Sequence, residues 1–171
     1  MNVTPPADFQ LEKHVFYWIS QALAARNRRL ATELRDQGVR TSEWRVLGAL
    51  YARQHLSMGE LSEQVSIDRT TLSRTVDRME QAGWMARISD ASDMRVTRLR
   101  LTDAGREMFH RVWPIIERVN ASAARTLPEA AVGMVSWVLG EMKRNLDNDA
   151  ATRADDDGLD QPDDQPTARR N

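Results

Sequence analysis

The chain has 171 residues, enough for one domain with a sizeable core, and no cysteine, which excludes disulfides, thiolate metal sites and thiol redox sensing. Its net charge of −1 is unevenly placed: residues 148–171 carry seven aspartates against three arginines, a net −4, so residues 1–147 carry +3. There is no basic-then-apolar N-terminal signal and no run of about 18 apolar residues, so a soluble, cytoplasmic protein is expected.

Residues 9–36 read as one helix, with Phe16, Ile19, Leu23, Leu30 and Leu34 near the three/four spacing of one face and Gly38 ending it. "TSEWRVLGALYARQ" opens a second helix, with Thr41 or Ser42 as N-cap and Trp44, Leu47 and Leu50/Tyr51 on one side. "LSMGELSEQVSIDRTTLSRTVDRMEQAGW" holds two more helical patterns. Met58, Leu61 and Val65 share a face in the first, and Leu72, Val76 and Met79 in the second. Only "SID" separates them, too short for anything but a tight turn. Ser66 or Asp68 can cap the second helix, and Gly83 suits its left-handed end. Two short helices joined this way form a helix-turn-helix, here without the common glycine in the turn.

"WMARI" and "RVTRLRL" then read as two strands joined by "SDASDM", with Thr97, Leu99 and Leu101 inward and Arg98 and Arg100 toward water. Thr102 caps a further helix to about Ala124, carrying Phe109, Val112, Ile116 and Val119, with Pro114 expected to bend it. Pro128 suits the start of a last helix that buries Val132, Val135, Val138/Leu139 and Met142, with Leu146 at the end of the stripe. Residues 148–171 have almost no large apolar residue beyond Leu159 and read as a disordered acidic tail, whose "DDD" is solvated rather than metal-binding. The expected fold is mainly α. A helix-turn-helix lobe with its hairpin over 41–102 is joined to a helical region from the N- and C-terminal helices, over 1–40 and 103–147.

The second helix of the pair carries the chemistry. With Leu72, Val76 and Met79 inward, Arg69, Thr70, Thr71, Ser73, Arg74 and Arg78 point outward. Arginine grips guanine O6/N7 at two points, and short hydroxyls reach phosphates, base edges or thymine methyls. A solvated face laced with ion pairs would use similar residues. The arginine-bearing hairpin directly after the helix favours DNA, because a wing tip there can place an arginine in the adjacent minor groove.

The stretch "MGELSEQVSIDRTTLSRTVDRMEQAGWMARISDASDMRVTRLRLTDAG" resembles the winged helix-turn-helix of the MarR family of bacterial transcriptional regulators. The similarity lies in "ELSEQV", "TTLSRTVDRMEQAGW", the wing pair Asp93-x-Arg95, "LTDAG", and the preceding "TSEWRVLGAL", and it spans about residues 10–147. It implies an obligate homodimer, with the first and last helices as the dimerisation layer. It implies Arg95 in the minor groove, braced by Asp93, and an effector pocket where the dimer layer meets the DNA-binding lobe. A terminal helix pair so rich in large apolar residues also needs covering. Arg98 and Arg100 face phosphate or water.

Candidate effector residues are His14, Tyr17, Trp18, Arg26 and Arg29 on the first helix, Trp44 and Arg45 on the second, and Trp113 beside Pro114. Aromatics with arginine suit a ring bearing an anionic group. The tryptophans equally suit core or dimer packing, His14 a solvent-facing position, and the arginines a solvated face. The resemblance implies phenolic acids or their CoA thioesters as effectors. No Gly-rich phosphate loop, His-Glu-x-x-His or G-x-S-x-G elbow is present, and His14, His55 and His110 are too far apart in sequence to suggest zinc. No enzyme, cofactor or metal is expected. The expected function is a ligand-responsive repressor that binds double-stranded DNA. The competing reading is a winged-helix protein-interaction module.

Overall fold

The computed structural model describes residues 8–90 and 93–158, with side chains as far as residue 150. A 3-10 turn at Leu11–Lys13 precedes α1 (Val15–Arg35), followed by α2 (Thr41–Ala52), α3 (Met58–Val65) and α4 (Arg69–Gln81). Strands β1 (Met85–Ser89) and β2 (Thr97–Leu101) follow, then α5 (Asp103–Ala124) and α6 (Glu129–Gly158). The described residues fall into two units, one ending at Ala123 and the other starting at Ala124.

In the first unit, one apolar core draws on every element from α1 to α5. Leu30 and Leu34 of α1 join Val46, Leu47 and Leu50 of α2, Leu61 and Val65 of α3, and Leu72, Val76 and Met79 of α4. Met85, Leu99 and Leu101 of the hairpin and Met108, Phe109, Val112, Ile116 and Val119 of α5 complete it. The core therefore crosses both expected lobe boundaries, at 40/41 and 102/103.

The helix ends have identifiable causes. Ser57 and Glu60 form a reciprocal capping box at α3: the Ser57 N–H donates to Glu60 at 2.7 Å and the Glu60 N–H to the Ser57 hydroxyl at 3.3 Å. Ser66 ends α3 at φ 49°, ψ 50°, the left-handed position usually held by glycine, and Asp68 starts α4 by accepting the Thr71 N–H at 2.9 Å. Gly83 (φ +72°) turns the chain out of α4. The hairpin is antiparallel, pairing Met85 with Leu101 and Ser89 with Thr97. Leu56 adds a bridge to its inner edge, where the Leu99 N–H donates to the Leu56 carbonyl at 2.8 Å.

Several expectations are corrected. The first helix begins at Val15, and of its apolar stripe only Leu30 and Leu34 are buried, while Phe16 and Leu23 are exposed. The N-cap of α2 is Arg40, not Thr41 or Ser42, because Glu43 reaches back to accept the Arg40 N–H at 2.6 Å. Thr97 is exposed, and only Leu99 and Leu101 turn inward from β2. In the second unit no apolar side chain of α6 as far as residue 150 is buried, and Val132, Val135, Leu139 and Leu146 are all exposed. That helix also continues to Gly158, past the expected end of helical structure at 147. Residues 159–171 of the acidic tail lie outside the described residues. No helix among the described residues is long and apolar enough to cross a membrane.

Candidate nucleic-acid interface

Burial sorts the α4 side chains by face. Leu72, Val76 and Met79 are sunk in the core, and Thr75 is buried with its hydroxyl donating to the Thr71 carbonyl at 2.8 Å and lying 3.2 Å from the Ser42 hydroxyl. Arg69, Thr70, Thr71, Ser73 and Arg74 are exposed. Four of them (Arg69, Thr70, Ser73 and Arg74) line one shallow concavity of about 430 Å³. Among the described residues, the guanidiniums of Arg69 and Arg74 have no partner. The first turn of the helix adds backbone N–H groups and the positive end of the helix dipole, both suited to phosphate. Hydrogen bonds from Thr71 hold the Asp68 carboxyl below its usual range, so the cap is ionised at neutral pH.

Two expected DNA contacts are instead engaged within the protein. Arg78 donates through Nε to Glu43 Oε1 at 2.5 Å, locking α4 to α2. Glu43 is buried; burial pushes its carboxyl up, opposed by the Arg40 N–H. Arg98 is held by two carboxylates, Asp90 at 2.6 Å and Glu60 at 2.7 Å, and its side chain is only 28% exposed. These partners, Asp90 first, raise its pKa. Neither arginine presents a free guanidinium to a duplex. Sequence reasoning missed Arg87, which joins β1 to α4 through Asp77 at 2.7 Å and through Glu80.

At the wing tip the Asp93 carboxylate accepts the Arg95 N–H at 2.9 Å, so Asp93 braces the main chain of Arg95. The Arg95 side chain is exposed and has no partner among the described residues. The wing base is fixed to α5 by Thr102, which donates to the Gly83 carbonyl at 2.6 Å and accepts the Gly105 N–H at 3.1 Å.

The effector candidates separate. Trp44 and Arg45 line a cleft of about 560 Å³ with Leu23, Gly48, Val65 and others. Arg26 donates to Asn120 Oδ1 at 2.8 Å; burial and then the nearby Arg45 lower its pKa. Trp113 stacks on Phe109 at 5.8 Å and tilts against Trp44 at 6.1 Å. His14, Tyr17 and Trp18 do not line this cleft: His14 sits 4.9 Å from the Phe9 ring, Tyr17 edges Trp18, and Trp18 Nε1 donates to the Glu12 carbonyl at 2.7 Å. Arg29 pairs with Glu33 at 2.8 Å on the surface. Among the described residues no group of three or more metal-ligating side chains gathers.

A capped helix pair, an exposed polar face on its second helix and an arginine-tipped hairpin define a winged helix-turn-helix protein. Residues 40–97 match the MarR family model. The chain is 24% identical over 140 residues to the HTH-type transcriptional repressor IacR of Pseudomonas putida, covering 82% of this chain and 84% of the relative. It is 26% identical over 147 residues to the transcriptional activatory protein BadR of Rhodopseudomonas palustris, covering 83% and 82%. A MarR-family regulator from Silicibacter pomeroyi superposes with a TM-score of 0.74 at 26% identity, over 83% of this chain and 96% of that one. Over residues 40–97 the chain is thus similar to the MarR family, and the relatives it resembles over most of its length are helix-turn-helix transcriptional regulators.

Proposed function

We propose that the chain is a cytoplasmic homodimeric repressor. It holds a pseudo-palindromic operator until a small anionic aromatic effector, a phenolic acid or its CoA thioester, releases it. The observation that carries the DNA reading is the sorting of arginines. Among the described residues, Arg69, Arg74 and Arg95 have guanidiniums without a partner, while Arg78, Arg87 and Arg98 are neutralised by carboxylates. Arg69, Thr70, Thr71, Ser73 and Arg74 read or position bases in the major groove, and Arg95 enters the flanking minor groove. Two half-sites about one helical turn apart then face one dimer. The exposed apolar side chains of α1 and α6, among them Phe16, Val135 and Trp137, support a second copy covering the regions 1–40 and 103–147. For the effector, Trp44 offers a ring face, and Arg45 with neighbouring Arg26 offers charge to a carboxylate.

The test is fluorescence anisotropy with a labelled duplex recovered from a random pool by selection on the wild-type protein. Arg95→Ala should weaken binding at least about 10-fold, within the usual worth of a specific contact, and leave the dimer intact on a sizing column. An unchanged affinity defeats the wing assignment. A chain that selects no duplex at all favours the interaction-module reading.

A further inference from the structure

The wing is not attached to the helix-turn-helix only through its strands. A hydrogen-bonded path runs from α3 to the wing tip through four side chains. Glu60 of α3, already accepting the Ser57 N–H, also takes Arg98 of β2 at 2.7 Å. Arg98 reaches Asp90 Oδ2 at 2.6 Å, and Asp90 Oδ1 accepts the Asp93 N–H at 3.4 Å. Asp93 in turn accepts the N–H of Arg95. The two links made by Arg98 join a guanidinium to carboxylates, the stronger and more directional kind of bond, and the last two hand the position on through the backbone N–H groups of Asp93 and Arg95. A two-stranded hairpin alone is a soft element, and a few degrees of rotation at its base move its tip by ångströms.

We propose that Arg98 is a positioning residue for DNA binding, a strut between Glu60 and Asp90 that fixes where the wing presents Arg95. This rests on the reading of Arg95 as a groove contact. The strut makes a prediction of opposite sign to simple electrostatics at one position. Glu60→Gln removes a negative charge from the DNA-binding lobe, which by itself strengthens attraction to phosphate. It keeps the α3 capping box, since glutamine serves there as well as glutamate. Without the carboxylate charge the bond to Arg98 loses its charge assistance, and the slackened strut should nevertheless weaken binding.

The experiment measures anisotropy affinities on the selected duplex for wild type, Arg98→Met, Glu60→Gln, Arg95→Ala and the two double variants with Arg95→Ala, across a salt series, with thermal melts alongside. Arg98→Met and Glu60→Gln should each weaken binding about 3- to 10-fold, as for coupled neighbours. Both effects should vanish in the Arg95→Ala background. The slope of log affinity against log salt should not change for Arg98→Met beyond the loss expected from Arg95 itself. Additive effects of Arg98→Met and Arg95→Ala, or tighter binding by Glu60→Gln, overturn the strut. If Arg95→Ala alone has no effect, the wing reading falls and the strut with it. A shared drop in melting temperature without Arg95-dependent loss of affinity marks Arg98 as merely structural and also overturns the inference.

Discussion

Gly105 is the closing residue of "LTDAG", and its place in the fold gives a sharp test. A Cβ built there lies 1.9 Å from the Trp84 carbonyl oxygen and 2.9 Å from its carbon, both backbone atoms. An ordinary contact is roughly 3.4 Å or more between such atoms, so Gly105→Ala must push the start of β1 and the first turn of α5 about 1.5 Å apart. That movement strains the Thr102 N–H to Trp84 carbonyl bond, now 3.1 Å, and the Thr102 hydroxyl bonds beside it. Overpacking of this kind costs about 1–3 kcal/mol, and the threatened backbone bond about 1 kcal/mol more. Alanine returns about 1 kcal/mol through helix propensity. The net expectation is a loss of about 1–3 kcal/mol, read as a lower urea midpoint at unchanged slope and fixed protein concentration. Because the same junction seats the wing, affinity for the selected duplex should fall as well. A midpoint equal to or above wild type would refute the argument, since propensity would then have won over a steric clash with backbone.

Two further outcomes follow from the ion pairs and caps. Arg78→Ala leaves Glu43 buried without its guanidinium; the pair is partly open to water on the arginine side, so a loss of about 1–3 kcal/mol in urea stability is expected, below the full value for a buried pair. The Glu43→Gln, Arg78→Met double variant should recover much of it, and no recovery would count against a buried-charge origin. The depressed Asp68 carboxyl contributes stability above its ordinary pKa of about 3.9, and this is lost as pH falls through the lowered folded value. Asp68→Asn keeps the cap but cannot titrate, so its stability deficit relative to wild type should shrink on acidification. Parallel acid limbs would remove the charge from the account.

What the sequence could show was local. The inward row Leu72, Val76, Met79 and the Asp68 cap are written at helical spacing, and they delivered the exposed face of α4. Alternation along β2 placed Arg98 outward, but alternation cannot say whether an outward side chain meets water or a carboxylate. Its partners stand 8 and 38 residues away, beyond any periodicity. The pairing of Arg78 was out of reach for the same reason, since Glu43 lies 35 residues upstream. The apolar spacing of α6 was read as burial, yet spacing records only which side chains share a face. The close approach at Gly105 left a trace as a glycine in the first turn of a helix, where nothing about local conformation calls for one.

The pairing of Arg78, Arg87 and Arg98 with carboxylates also bears on how such a protein searches a genome. An evenly basic plate adheres to any phosphate backbone, and most of its time is lost on random sequence. Here three cations are cancelled in place, and among the described residues Arg69, Arg74, Arg95 and Arg100 of α4 and the wing remain exposed without a partner. On the proposed reading of α4 and Arg95 as groove contacts, dissociation from random sequence should be correspondingly faster, with residence lengthening only where both contacts form together.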